Sequence, residues 1–252
     1  MRLIFLAAGK GERIFKNFNI NKPLIKIGKK RIIENLLLSA KKSKIEKISI
    51  VIGFKRKNFY EELKKYKNIE YVVNNQFNNT DMLHSLVMAL KKYDEDLLFS
   101  YSDIIYESKI LDRLNKTKSK HIIIPFIKNW NEIWKVRKKN IYEDVESFKI
   151  DNQKFLKEIG KKITKKTQAQ GQFMGLIFIP NCFKKKILEI YTKHFSHKKI
   201  QTTQFLNFLI KKQIKIKCLE YNGEWYEIDD YNDYKFFINS NDFKRTHKDF
   251  KI

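Results

Sequence analysis

Gly9 and Gly11 stand two apart directly after an apolar run, Arg2 to Leu6, in the stretch Leu6-Ala7-Ala8-Gly9-Lys10-Gly11-Glu12-Arg13. Glycines so placed let a backbone turn tightly and come close to a ligand, and successive N–H groups in the turn form a concavity for an anion. Arg13, and Lys22 in Lys22-Pro23-Leu24, bring two positive charges to the same place without belonging to the apolar core. That set suits a polyphosphate. Asp103 ends another apolar run, Leu97 to Tyr101, at the carboxyl end where open α/β sheets bind ligands. A carboxylate there can hold a Mg2+ that bridges phosphates. In Glu227-Ile228-Asp229 two further carboxylates are two apart, which on a strand points both to one side and lets them face one ion.

Other phosphate motifs do not fit. The third glycine of a dinucleotide fingerprint is missing, and no Gly-Lys-Ser/Thr follows the turn. Neither a Ser–His–Asp nor a Cys–His arrangement is legible. Cys182 and Cys218 are isolated, which argues against a metal site and reads as two small core residues in a reducing compartment. The formal net charge of +25 invites a nucleic-acid reading. The lysines, however, are spread through pairs such as Lys41-Lys42, Lys91-Lys92 and Lys211-Lys212 on the polar sides of helical patterns, and arginine is scarce. The charge is a lysine-rich surface, and no specific nucleic-acid partner is expected.

The elements that must position these residues follow from periodicity. Helices are predicted over Arg31 to Lys42, Lys57 to Tyr66 and from the caps Asn79-Thr80-Asp81 to Leu90; strands over Ile48 to Ile52, Glu70 to Val73 and Leu97 to Tyr101. A helix (Ser108 to Leu114) and a strand (His121 to Phe126) continue the alternation of a doubly wound sheet. Trp130 to Asn140 shows no clear period. Val145 to Ile150 and Phe155 to Ile159 read as a hairpin, Lys161 to Gln170 as a loop, and Phe173 to Ile179 as an apolar strand broken by Gly175. Helices over Cys182 to Phe195 and Thr203 to Ile210, strands over Ile214 to Leu219 and Trp225 to Ile228, and a helix from Tyr231 close the chain. One domain is expected over 1–252, with a nucleotide-binding half (1–127) and an acceptor-binding, metal-completing half (128–252). The length, the 42% hydrophobic content and the absence of a membrane-length run or signal peptide point to a globular, cytoplasmic protein with no membrane partner.

Taken together, Leu-Ala-Ala-Gly-x-Gly-x-Arg, Lys22-Pro23, the Asn74 to Ser85 stretch, Ser102-Asp103, the segments "EIGKK" and "GQFMG", and Glu227/Asp229 resemble the small-metabolite nucleotidyltransferases. The closest likeness is to enzymes of the choline-phosphate, aminoethylphosphonate and phosphoglutamine cytidylyltransferase type. The resemblance implies a Rossmann-like, GT-A-type three-layer α/β fold with a mixed, mostly parallel central sheet. It implies transfer of CMP from CTP to a small phosphorylated or phosphonate metabolite, with release of pyrophosphate, for surface-polysaccharide decoration. Leu6, Ala7, Ala8, Gly9, Gly11, Asn75, Ser85 and Ser102 would then bind the nucleotide, Arg13 and Lys22 would be catalytic, and Asp103, Glu227 and Asp229 would hold Mg2+.

The acceptor side is less determined. Where sugar-1-phosphate enzymes show I-x-E-K-P, this chain has Ile159-Gly160-Lys161-Lys162-Ile163. Lys161 and Lys162 then favour an acceptor with more negative charge, or are simply solvated. Trp130 and Trp134, with Trp225 and Tyr226, could box a quaternary ammonium, or belong to the core. His84 could face the nucleotide or be packed. The rivals are a sugar-1-phosphate nucleotidyltransferase using UTP or dTTP and a noncatalytic basic nucleotide- or RNA-binding domain. Homodimerisation stays open.

Overall fold

Strand β1 (Arg2–Ala7), buried along its whole length, divides its side chains between two cores. Leu3, Phe5 and Ala7 enter one hydrophobic cluster, Ile4 and Leu6 the other. A strand with no polar face must be covered on both sides, and the remaining elements do this. The computed structural model describes residues 1–117, 119–137 (backbone only at 136 and 137), 142, 144–196 and 198–239. In chain order these give β1, α1 (Glu12–Phe18), β2 (Lys26–Ile27), β3 (Lys30–Arg31), α2 (Ile32–Lys42), β4 (Ile48–Ile52), α3 (Arg56–Glu62) and β5 (Ile69–Val73). There follow α4 (Met82–Lys92), β6 (Leu97–Tyr101), β7 (Ile104–Tyr106), α5 (Ser108–Asn115), β8 (Ile122–Ile127), α6 (Trp130–Arg137), β9 (Glu146–Ile150) and β10 (Leu156–Lys162). β11 (Gln172–Phe173), β12 (Leu176–Ile179), α7 (Lys184–His194), α8 (Thr202–Lys211), β13 (Ile216–Tyr221), β14 (Trp225–Glu227) and α9 (Tyr231–Asn239) complete the described chain.

β1 lies between β4 and β6, and β5 flanks β4, all parallel. β12 runs antiparallel between β6 and β8, and β13 returns parallel on β8. The sheet is mixed and mostly parallel. Residues of α2, α3 and α5 fill the cluster on one face, and residues of α4, α7 and α8 fill the cluster on the other. Among the described residues no helix is long and apolar enough to cross a membrane.

Three local expectations change. Trp130–Arg137 is a helix, whose Trp130 and Trp134 are both buried. β10 extends through Lys161 and Lys162, so the loop begins later than the basic composition suggests. Cys182 is exposed in a short 3-10 turn rather than in the core, whereas Cys218 is buried on β13. The Lys138 to Asn140 end of the Trp130 segment lies outside the described residues.

Candidate active site

The glycine turn forms where β1 ends at the carboxyl edge of the sheet. Gly11 has φ +64°, and a Cβ there would come within 3.0 Å of the Lys22 Cβ, so both conformation and space require glycine. A Cβ on Gly9 would meet nothing within 4 Å; that residue borders an open cleft. The Ala8 carbonyl accepts the Phe54 N–H at 3.0 Å, which ties the turn to the chain leaving β4.

Arg13 and Lys22 converge on two acids from distant parts of the chain. The Lys22 ammonium donates to Asp103 Oδ2 at 2.9 Å and to Asp229 Oδ1 at 3.0 Å. The Arg13 guanidinium reaches both oxygens of Asp229, each at 2.7 Å. The sequence places both charges outside the apolar core; Arg13 is exposed, but Lys22 is buried. Lys22 opens the turn Lys22–Leu24, is 8% exposed, and is held there by Pro23 at the turn's start. Burial alone would lower the Lys22 pKa, but the charges and hydrogen bonds of Asp103 and Asp229 outweigh it and hold the ammonium above its ordinary value.

A short ladder sets the acids. β14 pairs antiparallel with β7, placing Glu227 opposite Ile104, and the Ile228 N–H then donates to the Asp103 carbonyl at 2.9 Å. Carboxylate oxygens of Asp103, Glu227 and Asp229 lie within 4.8 Å of one another. Asp229 stands just past the end of β14 and is fixed by the start of α9. The Asp233 carboxylate accepts the N–H groups of Asp229 (3.1 Å) and Asp230 (3.3 Å), while Asp230 Oδ1 accepts those of Asn232 and Asp233. This is a reciprocal cap on the helix. The residues fit a hard divalent cation on chemical grounds: the donors are all carboxylate oxygens, and Asp103 Oδ1 is buried with no hydrogen-bond partner among the described residues.

These groups open onto a cleft of about 780 Å³. Leu6, Ala8, Gly9, Gly11, Arg13, Ser85, Asp103, Trp134, Glu227 and Asp229 line it, as the sequence suggests. Others sit elsewhere. Ala7 faces the core under α2. Ser102 Oγ donates to the Leu6 carbonyl at 2.6 Å, joining β6 to β1 below the cleft floor. Asn75 is exposed and accepts from Arg56, whereas its neighbour Asn74 lines the cleft. Asn74 donates to Thr80 and Ser85 and accepts the Gln76 N–H, which fixes Ser85. Trp130 is core, its Nε1 donating to the Ala169 carbonyl. His84 meets the Tyr191 hydroxyl at 2.7 Å, on the α7 side. Lys161 and Lys162 are exposed near the end of β10 and do not line the cleft; the Lys161 ammonium pairs with Glu158 at 2.5 Å.

Residues without a motif complete the wall. Trp225 and Trp134 both line the cleft and stack on each other, ring centroids 5.6 Å apart. Tyr101, the residue before Ser102-Asp103, also lines it; burial raises its phenol, and the charges of Asp103, Glu227 and Glu146 raise it further. Glu146, Gln172 and Thr203 come from β9, β11 and α8.

A three-layer α/β sheet with a glycine turn, two converging cations and a carboxylate triad at its carboxyl edge is the architecture of a nucleotidyltransferase. The chain belongs to the MobA-like NTP transferase domain family, whose pattern residues 3–165 match. It is 29% identical over 246 residues to the CTP:phosphoglutamine cytidylyltransferase of Campylobacter jejuni, covering 91% of this chain and 96% of that one. Many solved structures share the fold, among them two CTP-using enzymes. The inositol-1-phosphate CTP transferase of T. maritima has a TM-score of 0.75 at 17% identity, covering 93% of this chain and 94% of that one. The CTP:phosphocholine cytidylyltransferase of Streptococcus pneumoniae has a TM-score of 0.68 at 17% identity, covering 93% and 96%.

Proposed function

We propose that the chain transfers CMP from CTP to a small phosphorylated or phosphonate metabolite, releasing pyrophosphate. The observation that carries this reading is the meeting of Arg13 and Lys22 with Asp103 and Asp229 beside the glycine turn, at a cleft that Arg13 and the two acids line. Similarity to a CTP-dependent enzyme over nearly the full length of both chains supports CTP as the donor.

An acceptor phosphate oxygen attacks the α-phosphorus in line, the new P–O bond forming as the bond to pyrophosphate breaks. Direct attack by the acceptor requires no covalent nucleophile from the protein, so positioning and charge carry the rate. The N–H groups of the glycine turn cradle the triphosphate. The exposed Arg13 fork turns to the leaving pyrophosphate, and Lys22, fixed by two acids, faces the α-phosphate as its charge grows. Asp103 and Asp229, assisted by Glu227, would hold Mg2+, which when bound neutralises phosphate charge. Nucleotide and acceptor are the only partners this reading requires.

The test is a pyrophosphate-release screen of CTP, UTP, dTTP and ATP against a panel of phosphorylated metabolites with Mg2+. CTP-dependent release that needs a phosphorylated acceptor is expected. Release with UTP or dTTP and a sugar 1-phosphate instead would transfer the reading to the sugar enzymes.

A further inference from the structure

The two aspartates that would hold a metal ion already face cations of the protein itself. The Lys22 ammonium takes Asp103 Oδ2 at 2.9 Å and Asp229 Oδ1 at 3.0 Å. The Arg13 fork takes Asp229 Oδ1 and Oδ2, each at 2.7 Å. Asp103 Oδ1 is the exception, buried with no hydrogen-bond partner among the described residues. Both oxygens of Asp229 are thus engaged by Arg13, although that carboxylate belongs to the triad suited to a hard divalent cation. A divalent ion there would meet the guanidinium on the same carboxylate, and like charges so close repel.

The two protein cations differ in their freedom to leave. The Lys22 side chain is 9% exposed and bridges both acids, so withdrawing it would strand buried charge. The Arg13 side chain is 65% exposed. Its helix is seated without the ion pair: Ile14 is fully buried, and Phe18 packs edge-on against Tyr231 and Tyr234 of α9 at 5.8 and 4.8 Å. The guanidinium can therefore swing away while α1 stays in place. A destination lies beside it, because Arg13 lines the cleft together with Gly9, Lys10 and Gly11 of the anion-binding turn. Both terminal nitrogens of Arg13 are engaged by Asp229, and a phosphate gripped in the same bidentate way requires them.

We propose that Arg13 is a latch on the cation site: in the nucleotide-free protein it holds Asp229 against a divalent ion, and a triphosphate that draws it off opens that carboxylate. The triad is then a weak metal site until a nucleotide arrives, and it takes the ion together with the nucleotide rather than ahead of it. The release half of the device rests on the transferase reading above. The competition between Arg13 and a cation is a property of the free chain.

The test needs neither nucleotide nor acceptor. Mn2+ binding to the free protein is followed by electron paramagnetic resonance. Arg13→Ala should bind Mn2+ roughly 5- to 30-fold more tightly than wild type, the size of removing one positive charge from beside a divalent ion near water. Arg13→Lys keeps the charge but loses the fork, and should fall between the two. The converse is read on the wild type. Phenylglyoxal modification of Arg13, quantified by peptide mass spectrometry, should quicken several-fold when Mg2+ replaces NaCl at equal ionic strength. Arg56, exposed and donating to Asn75, is the internal reference and should keep its rate. Equal or weaker Mn2+ binding by R13A, an Arg13 modification rate that Mg2+ does not move, or no Mn2+ binding by either protein would each overturn the latch. A variant that loses turnover while gaining metal affinity is distinguished from a misfolded one, which loses both. The pyrophosphate-release screen decides the transferase reading separately.

Discussion

Arg13 holds both carboxylate oxygens of Asp229 at 2.7 Å, a fork-to-fork pair that joins the first helix to the last strand–helix junction. The two partners are unequal. The Arg13 side chain is 65% exposed and that of Asp229 13%, so the guanidinium can leave for a phosphate without disturbing the core. Lys22, bridging Asp229 and Asp103 from a buried position, has no such freedom.

This asymmetry separates two variants. Arg13→Ala and Lys22→Ala should each lower kcat/KM by roughly 10²-fold or more, as expected for a lost preorganised charge. Only Lys22→Ala should also lower the melting temperature, because it removes the buried cation that bridges Asp103 and Asp229, while Arg13 still holds Asp229. The cost should fall below the roughly 3–5 kcal/mol of a fully buried pair, since both acids keep some access to water. Millimolar Mg2+ should recover part of it. Equal melting curves for both variants would show that Lys22 is not a structural counter-ion.

What the sequence reveals of this site divides by locality. The glycine turn, Asp103 and the Glu227–Asp229 pair are legible because each is a run of adjacent residues at the end of an apolar strand. Asn75 shows the limit: just past β5, neighbouring residues face opposite ways, and the inward one is Asn74. Lys161 and Lys162 leave two readings open in the sequence, and their exposure on β10, away from the cleft, agrees with the solvated one; a short motif does not show that β10 continues through them. Glu146 and Gln172 are invisible beforehand, since their meeting depends on β9 and β11 arriving side by side from separate segments. The helix over Trp130–Arg137 does space Trp130, Ile133 and Trp134 at i, i+3 and i+4, but three positions in eight residues among polar neighbours are too few to mark a period.

Metal removal is the next test. The carboxylate triad predicts that EDTA abolishes turnover and that Mg2+ or Mn2+ restores it. Asp103→Asn should weaken Mn2+ binding to the protein, measured by electron paramagnetic resonance without nucleotide, because the buried Oδ1 belongs to that carboxylate. Full turnover in EDTA would remove the metal from the mechanism.

Acid stability should depend on Glu34 at the start of α2. Its oxygens accept the Arg31 N–H at 2.8 Å and the Tyr66 hydroxyl at 3.2 Å, and pair with Lys65 at 2.7 Å. Burial alone would raise its pKa, but Lys65, the Arg31 N–H and Tyr66 outweigh it and hold the carboxyl below its ordinary value of 4.5. A carboxyl depressed on folding contributes stability that is complete above the unfolded pKa and lost as pH falls through the folded one. Glu34→Gln should therefore melt lower than wild type at pH 7, with the two curves converging below about pH 4.5 as that contribution is lost. Melting curves that stay parallel from pH 7 to pH 3 would contradict this.

Asp233 tests how far the placement of Asp229 depends on the cap behind it. Its carboxylate, 4% exposed for the residue, accepts the N–H of Asp229 itself and of Asp230. It touches no reacting atom in this scheme and acts by holding the backbone that presents Asp229 to Lys22, Arg13 and the cation. Asp233→Ala should cost about 1 kcal/mol of stability, as for a lost helix cap. It should also raise the Mg2+ concentration needed for half-maximal turnover and weaken Mn2+ binding, while the CTP KM measured at saturating Mg2+ stays near wild type. Asp233→Asn keeps an oxygen that can accept the same N–H groups, so it should restore most of the metal response. A cap with no bearing on the site predicts otherwise: both variants would lose stability yet titrate metal like wild type. The discriminating readout is the metal titration at a temperature well below either melting point, where loss of fold contributes nothing.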